Sequence, residues 1–261
     1  MTTQDKATIS EFCWAELLVN DIDKEAAFYM SLFGWNKQAM PYGDSEFFVF
    51  QIGEVGIGGG MQFNEAMKSK QVPQHWNNYI LVDDINKTVQ AAKALGGTVL
   101  NDVTPVLDMG KMATLADPTG ATFSLWQALK KNENAMLPKT TASNIGWNEL
   151  VTQDIEKAGK FYAELFNWTL VTQEGISRDM PYTLFMSGDK PIAGMLAPCK
   201  EDTNGPRWDI YFSTDNLDEC MNKAKSLGAT VCYEPLTIAI GRFTMLRDPA
   251  GVFFSVIEYN K

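Results

Sequence analysis

Histidine is almost missing from this sequence: His75 is the only one in 261 residues. A metal centre built from two histidines and a carboxylate is therefore excluded within one chain, and no serine or cysteine triad can be assigned to His75 from spacing. Basic residues are scarce too. Lys and Arg number 22 against 32 Asp and Glu, the formal net charge is -10, and the only arginines (Arg178, Arg207, Arg242, Arg247) all lie in the second half. Phosphate-rich partners need clustered Lys and Arg, so neither nucleic acid nor a membrane surface is an expected partner of this acidic protein. No run approaches the roughly 20 apolar residues of a membrane span. The opening MTTQDKATISEF lacks the basic and apolar regions of a secretory signal, so a cytoplasmic location is expected. The four cysteines, Cys13, Cys199, Cys220 and Cys232, form no CxxC pair and need no disulfides there. On the same reading the sequons at Asn86 and Asn167 are chance matches. The glycine run from Gly53 to Met61 lacks the Lys-Ser/Thr of a nucleotide loop and is followed by no suitable helix, so it reads as a bent strand or a close approach to the backbone.

What is present is a repeat. FCWAELLVNDIDKEAAFYMSLFGW at 12–35 and IGWNELVTQDIEKAGKFYAELFNW at 145–168 share 11 of 24 positions at an offset of 133. HWNNYILVDDINKTVQAAKALGGTV at 75–99 parallels RWDIYFSTDNLDECMNKAKSLGATV at 207–231, and GKMATLADPTGATFSLWQ at 110–127 parallels GRFTMLRDPAGVFFSVIE at 241–258. Two domains follow, 9–128 and 143–261, joined by a polar, proline-bearing linker at 129–142.

Each copy reads as strand, helix and three strands, twice over. A strand at 12–19 ends where Asp21 or Asp23 can cap a helix whose stripe is Ile22, Ala26, Tyr29 and Phe33. Strands follow at 35–40, 46–52 and 55–63. The order then recurs with a strand at 76–82, a helix at 85–95 stopped by Gly96-Gly97, and a last strand entered through the turn Asp117-Pro118-Thr119-Gly120. The fold class is α+β: four βαβββ modules paired into two curled, cup-like sheets.

That order, the runs DIDKEAAFYMSLFGW and DIEKAGKFYAELFNW, and the endings DPTGATFSLW and DPAGVFFSVIE resemble the vicinal-oxygen-chelate superfamily of glyoxalases, bleomycin-resistance proteins and extradiol dioxygenases. The resemblance spans nearly the whole chain and implies cups that hold a divalent metal and a small substrate in the family's enzymes. It also implies where the metal ligands should stand: seven residues before the first helix's Asp, six before the second helix's Asp, and four after the glycine of D-P-x-G. Those positions hold Trp14, Asn77 and Ser124 in domain 1, and Trp147, Asp209 and Ser255 in domain 2. Indole cannot coordinate, and Asn and Ser are poor ligands for Zn, Ni or Fe(II). Only Asp209 is a good donor, so no transition metal and no other cofactor is expected; counting residues leaves an oxygen-only Mg or Ca site open.

Strand alternation assigns the rest. Glu16 and Glu149 share a face with Trp14 and Trp147; Tyr79 and Tyr211 share one with Asn77 and Asp209; Ser213 follows Tyr211, and Trp126 follows Ser124. A carboxylate beside an indole in an apolar cup is how a general base is made, whereas a Glu buried to hydrogen-bond a neighbouring strand is the structural alternative, and both readings stand. The phenols either donate to a ligand or fill the core. Trp126 could stack on a flat guest, but its counterpart is Ile257. Trp76, Trp208, Trp35 and Trp168 read as core, Cys13 as packing of opposite parity to Trp14, and His75 as a hydrogen-bonded rim residue. Lys111 and Arg242, at matched positions, are either a paired anchor for an anionic group or solvated strand starts.

The leading functional reading is metal-independent binding of a small organic molecule in one or both cups, of the sequestration or resistance type. The alternatives are a metal-independent lyase, isomerase or hydrolase with Glu16 or Glu149 as base and Tyr79 or Tyr211 as proton donor, and a structural or regulatory protein whose cups are filled by their own side chains. Acid–base chemistry is expected to favour domain 2 and stacking domain 1. The two domains are expected to pack as a pseudo-dimer in a monomer or weak homodimer.

Overall fold

The computed structural model describes residues 5–6, 9–42, 45–129, 135–177, 180–200 and 202–261. A two-residue strand, β1 (Asp5–Lys6), precedes the first module: β2 (Phe12–Val19), α1 (Ile22–Phe33), β3 (Asn36–Tyr42), β4 (Ser45–Ile52) and β5 (Val55–Gln62). A one-turn helix that the sequence pattern does not signal, α2 (Glu65–Ser69), leads to β6 (His75–Leu81), α3 (Ile85–Ala94), β7 (Thr98–Val106), β8 (Gly110–Ala116) and β9 (Thr122–Ala128). In the linker, β10 (Ala135–Met136) pairs with β1. The second copy holds β11 (Ile145–Val151), α4 (Ile155–Phe166), β12 (Thr169–Ser177), β13 (Met180–Ser187) and β14 (Lys190–Leu196), then β15 (Arg207–Ser213), α5 (Leu217–Ser226), β16 (Thr230–Ile238), β17 (Gly241–Arg247) and β18 (Phe253–Tyr259).

Local chemistry sets the helix ends. The side chains of Asp21, Asp84, Asp154 and Asn216 each accept a backbone N–H from the first turn of the helix they precede. Gly34 and Asn167 end α1 and α4 in the left-handed conformation, the one place in each helix that calls for such a residue. Asp117 Oδ1 accepts from the N–H groups of Thr119, Gly120 and Ala121, which closes the turn into β9.

Modules one and two form one eight-stranded sheet in the order β3-β4-β5-β2-β6-β9-β8-β7, and modules three and four form its counterpart, β12-β13-β14-β11-β15-β18-β17-β16. At the centre of each, the first strands of the two modules run antiparallel (β2 with β6, β11 with β15), and each is flanked by the last strand of its own module in parallel. Among the described residues the outer strands pair on one side only, so each sheet curls without closing.

The apolar cores lie between the copies. One core joins α1, Trp35 and Phe50 of module one, with Trp76 of β6, to Phe212, Leu217, Met221 and Phe254 of module four; the other joins modules two and three, with Phe12 of β2 and Trp208 of β15. Tyr29, fully buried, is the hub of the first. It donates to Asp248 Oδ2 at 2.9 Å, accepts from Trp76 Nε1 at 3.0 Å, and stacks on Trp35. Tyr162 repeats this in the second core, accepting from Trp208 Nε1 at 2.8 Å. The repeated tryptophans complete the exchange: Trp35 Nε1 donates to Ser143 O and Trp168 Nε1 to Ser10 O. Each such side chain, once buried, contributes on the order of 1.5–3 kcal/mol. The helices therefore pack back to back, and the opposite, concave faces of the two sheets are left to form the cups.

Candidate functional site

In domain 1 the concave face is set by register. Glu16 stands opposite Asn77 and Trp14 opposite Tyr79 across β2–β6, while Tyr79 lies beside Ser124 and Leu81 beside Trp126 across β6–β9. The Tyr79 hydroxyl donates to Glu16 Oε2 at 2.7 Å. Asn77 Nδ2 donates to Ser124 Oγ at 2.8 Å, and Ser124 Oγ lies 2.9 Å from Thr114 Oγ1. Asn77 Oδ1 is buried with no hydrogen-bond partner. Trp14, Met112 and Trp126 are half-buried and wall this polar line. Glu16 is 8% exposed, and burial pushes its carboxyl up from 4.5 to about 7 against the opposing effect of the Tyr79 hydrogen bond. Burial and the Glu16 charge both push Tyr79 up, so the phenol keeps its proton and donates it.

Domain 2 places the matching residues alike but engages them differently. Glu149 stands opposite Asp209 and accepts two phenols, Tyr211 at Oε1 and Tyr182 at Oε2, each at 2.7 Å. Trp147 Nε1 donates to the Tyr182 hydroxyl at 3.0 Å. Tyr182 comes from β13 and lies over Gly194, whose missing Cβ leaves it room; Phe47 holds the matching place over Gly59 in domain 1 and offers no hydroxyl. Asp209 is held through both oxygens by Arg207, which also binds Asp202. Ser255 Oγ is buried with no partner, and Ser213 Oγ donates to the backbone of Lys139 in the linker.

Lys111 and Arg242 stand on the helix side of their strands. Arg242 does not face the cup: it pairs with Asp218 on the first turn of α5, and its cross-strand partner Glu258 accepts the N–H of Leu217 at the same helix start. Lys111 pairs with Gln127, which accepts the N–H of Ile85 at the start of α3, so Lys111 shares the helix side. Cross-strand partners share a face, and the face of Gln127 and Glu258 is not that of the serines. Cys13 is displaced as well. A register shift between Phe12 and Trp14 turns it into the cup-side cluster with Tyr79 and Leu81, where its thiol donates to Tyr79 O. Sequence reasoning missed Tyr182, Phe47 and Thr114. Tyr182 and Phe47 sit two strands away from the glutamate strand and reach the cup centre only because a glycine lies beneath them.

A family model for the Glyoxalase/Bleomycin resistance protein/Dioxygenase superfamily matches residues 144–256, and one for a glyoxalase-like domain matches 14–126. The chain belongs to this superfamily. Within it, the chain is 32% identical over 260 residues to a putative glyoxylase, CFP32, of Mycobacterium tuberculosis, covering 94% of this chain and 93% of that protein. It is 28% identical to the anthracycline biosynthesis protein DnrV of Streptomyces peucetius, covering 95% and 93%. Among solved structures, the Mn(II)-bound glyoxalase from Novosphingobium aromaticivorans shares the fold at a TM-score of 0.65 and 14% identity, over 97% of this chain and 83% of that one. Homoprotocatechuate 2,3-dioxygenase from Brevibacterium fuscum does so at 0.66 and 15%, over 100% and 82%.

The metal that superfamily enzymes hold does not fit the residues present at its ligand positions here. Trp14 and Trp147 offer no lone pair, Asn77 turns its amide nitrogen to Ser124, and both oxygens of Asp209 are taken by a guanidinium. Among the described residues, no three His, Cys, Asp or Glu stand close enough together to hold an ion.

Proposed function

We propose that the chain binds a small organic molecule in the cup of domain 1, without a transition metal, through the Glu16–Tyr79 pair and the walls of Trp14 and Trp126. The observation that carries this reading is the buried carboxyl of Glu16, raised to about 7, in a line of side chains that ends in an unpartnered acceptor, Asn77 Oδ1. A buried polar atom without a partner costs about 1–3 kcal/mol, which a ligand N–H or O–H would recover once neighbouring side chains shift to expose it. The half-buried indoles supply flat apolar surface on either side. The relatives named for glyoxylase and anthracycline biosynthesis make a small oxygenated guest a reasonable class to test first.

A second reading rests on the same carboxyl. A group that titrates near 7 is suited to take and return a proton, so Glu16 would serve as the base of a metal-independent lyase, isomerase or hydrolase, with Tyr79 holding it in place. Glu149 suits that role less, because a phenol already donates to each of its oxygens, and both bonds favour its charged form. This reverses the expectation that acid–base chemistry favours domain 2. The test is a thermal-shift and tryptophan-fluorescence screen of oxygenated aromatic and aliphatic compounds in the presence of a chelator. Glu16→Gln and Tyr79→Phe should each weaken a hit about tenfold or more, and turnover of the hit would select the second reading. Binding that appears only when the chelator is replaced by a divalent transition metal would refute both.

A further inference from the structure

The linker carries a feature that the two cups do not share. Residues 137–144, the end of the linker and the start of domain 2, fold across one end of the domain 2 cup. Asn144 Nδ2 ties the segment together by donating to Leu137 O and Pro138 O, and Ser143 N donates to Ser213 O. The Lys139 carbonyl accepts from Ser213 Oγ and lies close over Gly146, where a Cβ would collide with Ser213 Oγ and press on the Lys139 carbonyl. The Lys139 amine reaches inward: it donates to Ile192 O at 3.2 Å and sits 5.0 Å above the Trp147 ring. Among the described residues no carboxylate pairs with it, since Glu11, the acid nearest in effect, is bound to Lys190. Domain 1 has no such seat. Cys13 stands where Gly146 does, and Leu81, without a hydroxyl, where Ser213 does.

An indole face and a free carbonyl are the two groups that recognise an alkylammonium: one by its quadrupole, the other by accepting a hydrogen bond. We propose that the Trp147 face and the Ile192 carbonyl form a binding site for primary alkylammonium groups, occupied in this chain by Lys139 as a tethered internal ligand. Burial and the nearby Lys190 charge hold the Lys139 amine down at about 8, which still leaves it largely protonated at neutral pH. A tethered group acts as if present at about millimolar concentration, so a free amine competes with it only above that range. The site is separate from the Glu16 cup, and its failure would leave the reading of domain 1 untouched.

The experiment is rescue of a truncated side chain. Lys139→Ala should lower the melting temperature by a few degrees, and n-butylammonium should restore it saturably in the millimolar range. 1-Butanol at the same concentrations should not, and the unaltered chain should shift little with either. Equal shifts of both proteins, no rise for the variant, or equal rescue by butanol would overturn the proposal. Should Lys139→Ala fail to fold, the unaltered chain provides a second test. The Lys139 side-chain methylene signals should be moved upfield by the ring current of Trp147 and return to ordinary positions in Trp147→Leu, and ordinary positions in the unaltered chain would refute the internal ligand.

Discussion

Replacing Glu16 with Gln removes an ionisable group from the domain 1 cup while keeping its shape and an oxygen for the Tyr79 hydroxyl. The carboxyl is raised from 4.5 to about 7, chiefly by burial. The folded chain therefore holds the proton more tightly than the unfolded chain does. The stabilising contribution is fully present below pH 4.5 and is lost as pH rises through 7. With roughly 1.4 kcal/mol per pH unit, the loss is on the order of 1 kcal/mol at pH 5 and on the order of 3 kcal/mol at pH 8. Glu16→Gln has no such loss, so it should gain about 2 kcal/mol on the unaltered chain between those two pH values. Glu25 and Asp248, also raised, titrate in both proteins and cancel in the difference. Urea unfolding at half-unit steps from pH 5 to 8 measures this. Parallel curves for the two proteins would show that Glu16 is not held in a desolvated site, and the reasoning about the cup would fail with it.

Other outcomes follow from the same structure. Tyr29→Phe should destabilise the chain by about 1–3 kcal/mol in urea, because it strands Trp76 Nε1 and removes a donor to Asp248 between the two copies. Gly194→Ala should cost at least as much, since its methyl would occupy the place of the Tyr182 hydroxyl; a neutral result would contradict the close approach of that ring. Elemental analysis after mild dialysis should give well under one Zn, Ni, Fe or Mn per chain, and one tightly held ion would reopen metal chemistry. With the helix faces already packed against one another, light scattering should be dominated by one- or two-chain species.

The sequence made the centre of the cup legible and its edges much less so. Period-two alternation holds in β6 and in β2 from Trp14 onward, so spacing put Glu16 with Trp14 and Tyr79 with Asn77, the resemblance implied that the two faces converge, and the structure brings their oxygens to 2.7 Å. The same rule misled at Cys13, because a bulge adds a residue that no pattern of hydrophobicity marks. The choice left open at Arg242 can be settled by spacing: Glu258, three residues after Ser255, lies on the opposite face of its strand, and antiparallel pairing puts Arg242 with it. Tyr182 and Lys139 were beyond reach, since one arrives from two strands away over a glycine and the other from a linker whose path only tertiary packing sets. The cores resisted reading for a related reason. The stripe on α1 predicts an apolar partner but not that the partner belongs to module four.

Which cup takes the ligand, and by what means, is open to a single measurement. A tryptophan-fluorescence titration of the best screening hit, in EDTA, against the unaltered chain, Glu16→Gln and Glu149→Gln tests this most directly. Undiminished binding to the unaltered chain and to Glu149→Gln, with about tenfold or greater weakening in Glu16→Gln, is the predicted result. Binding that needs an added metal, or that is lost with Glu149 and kept without Glu16, would contradict it.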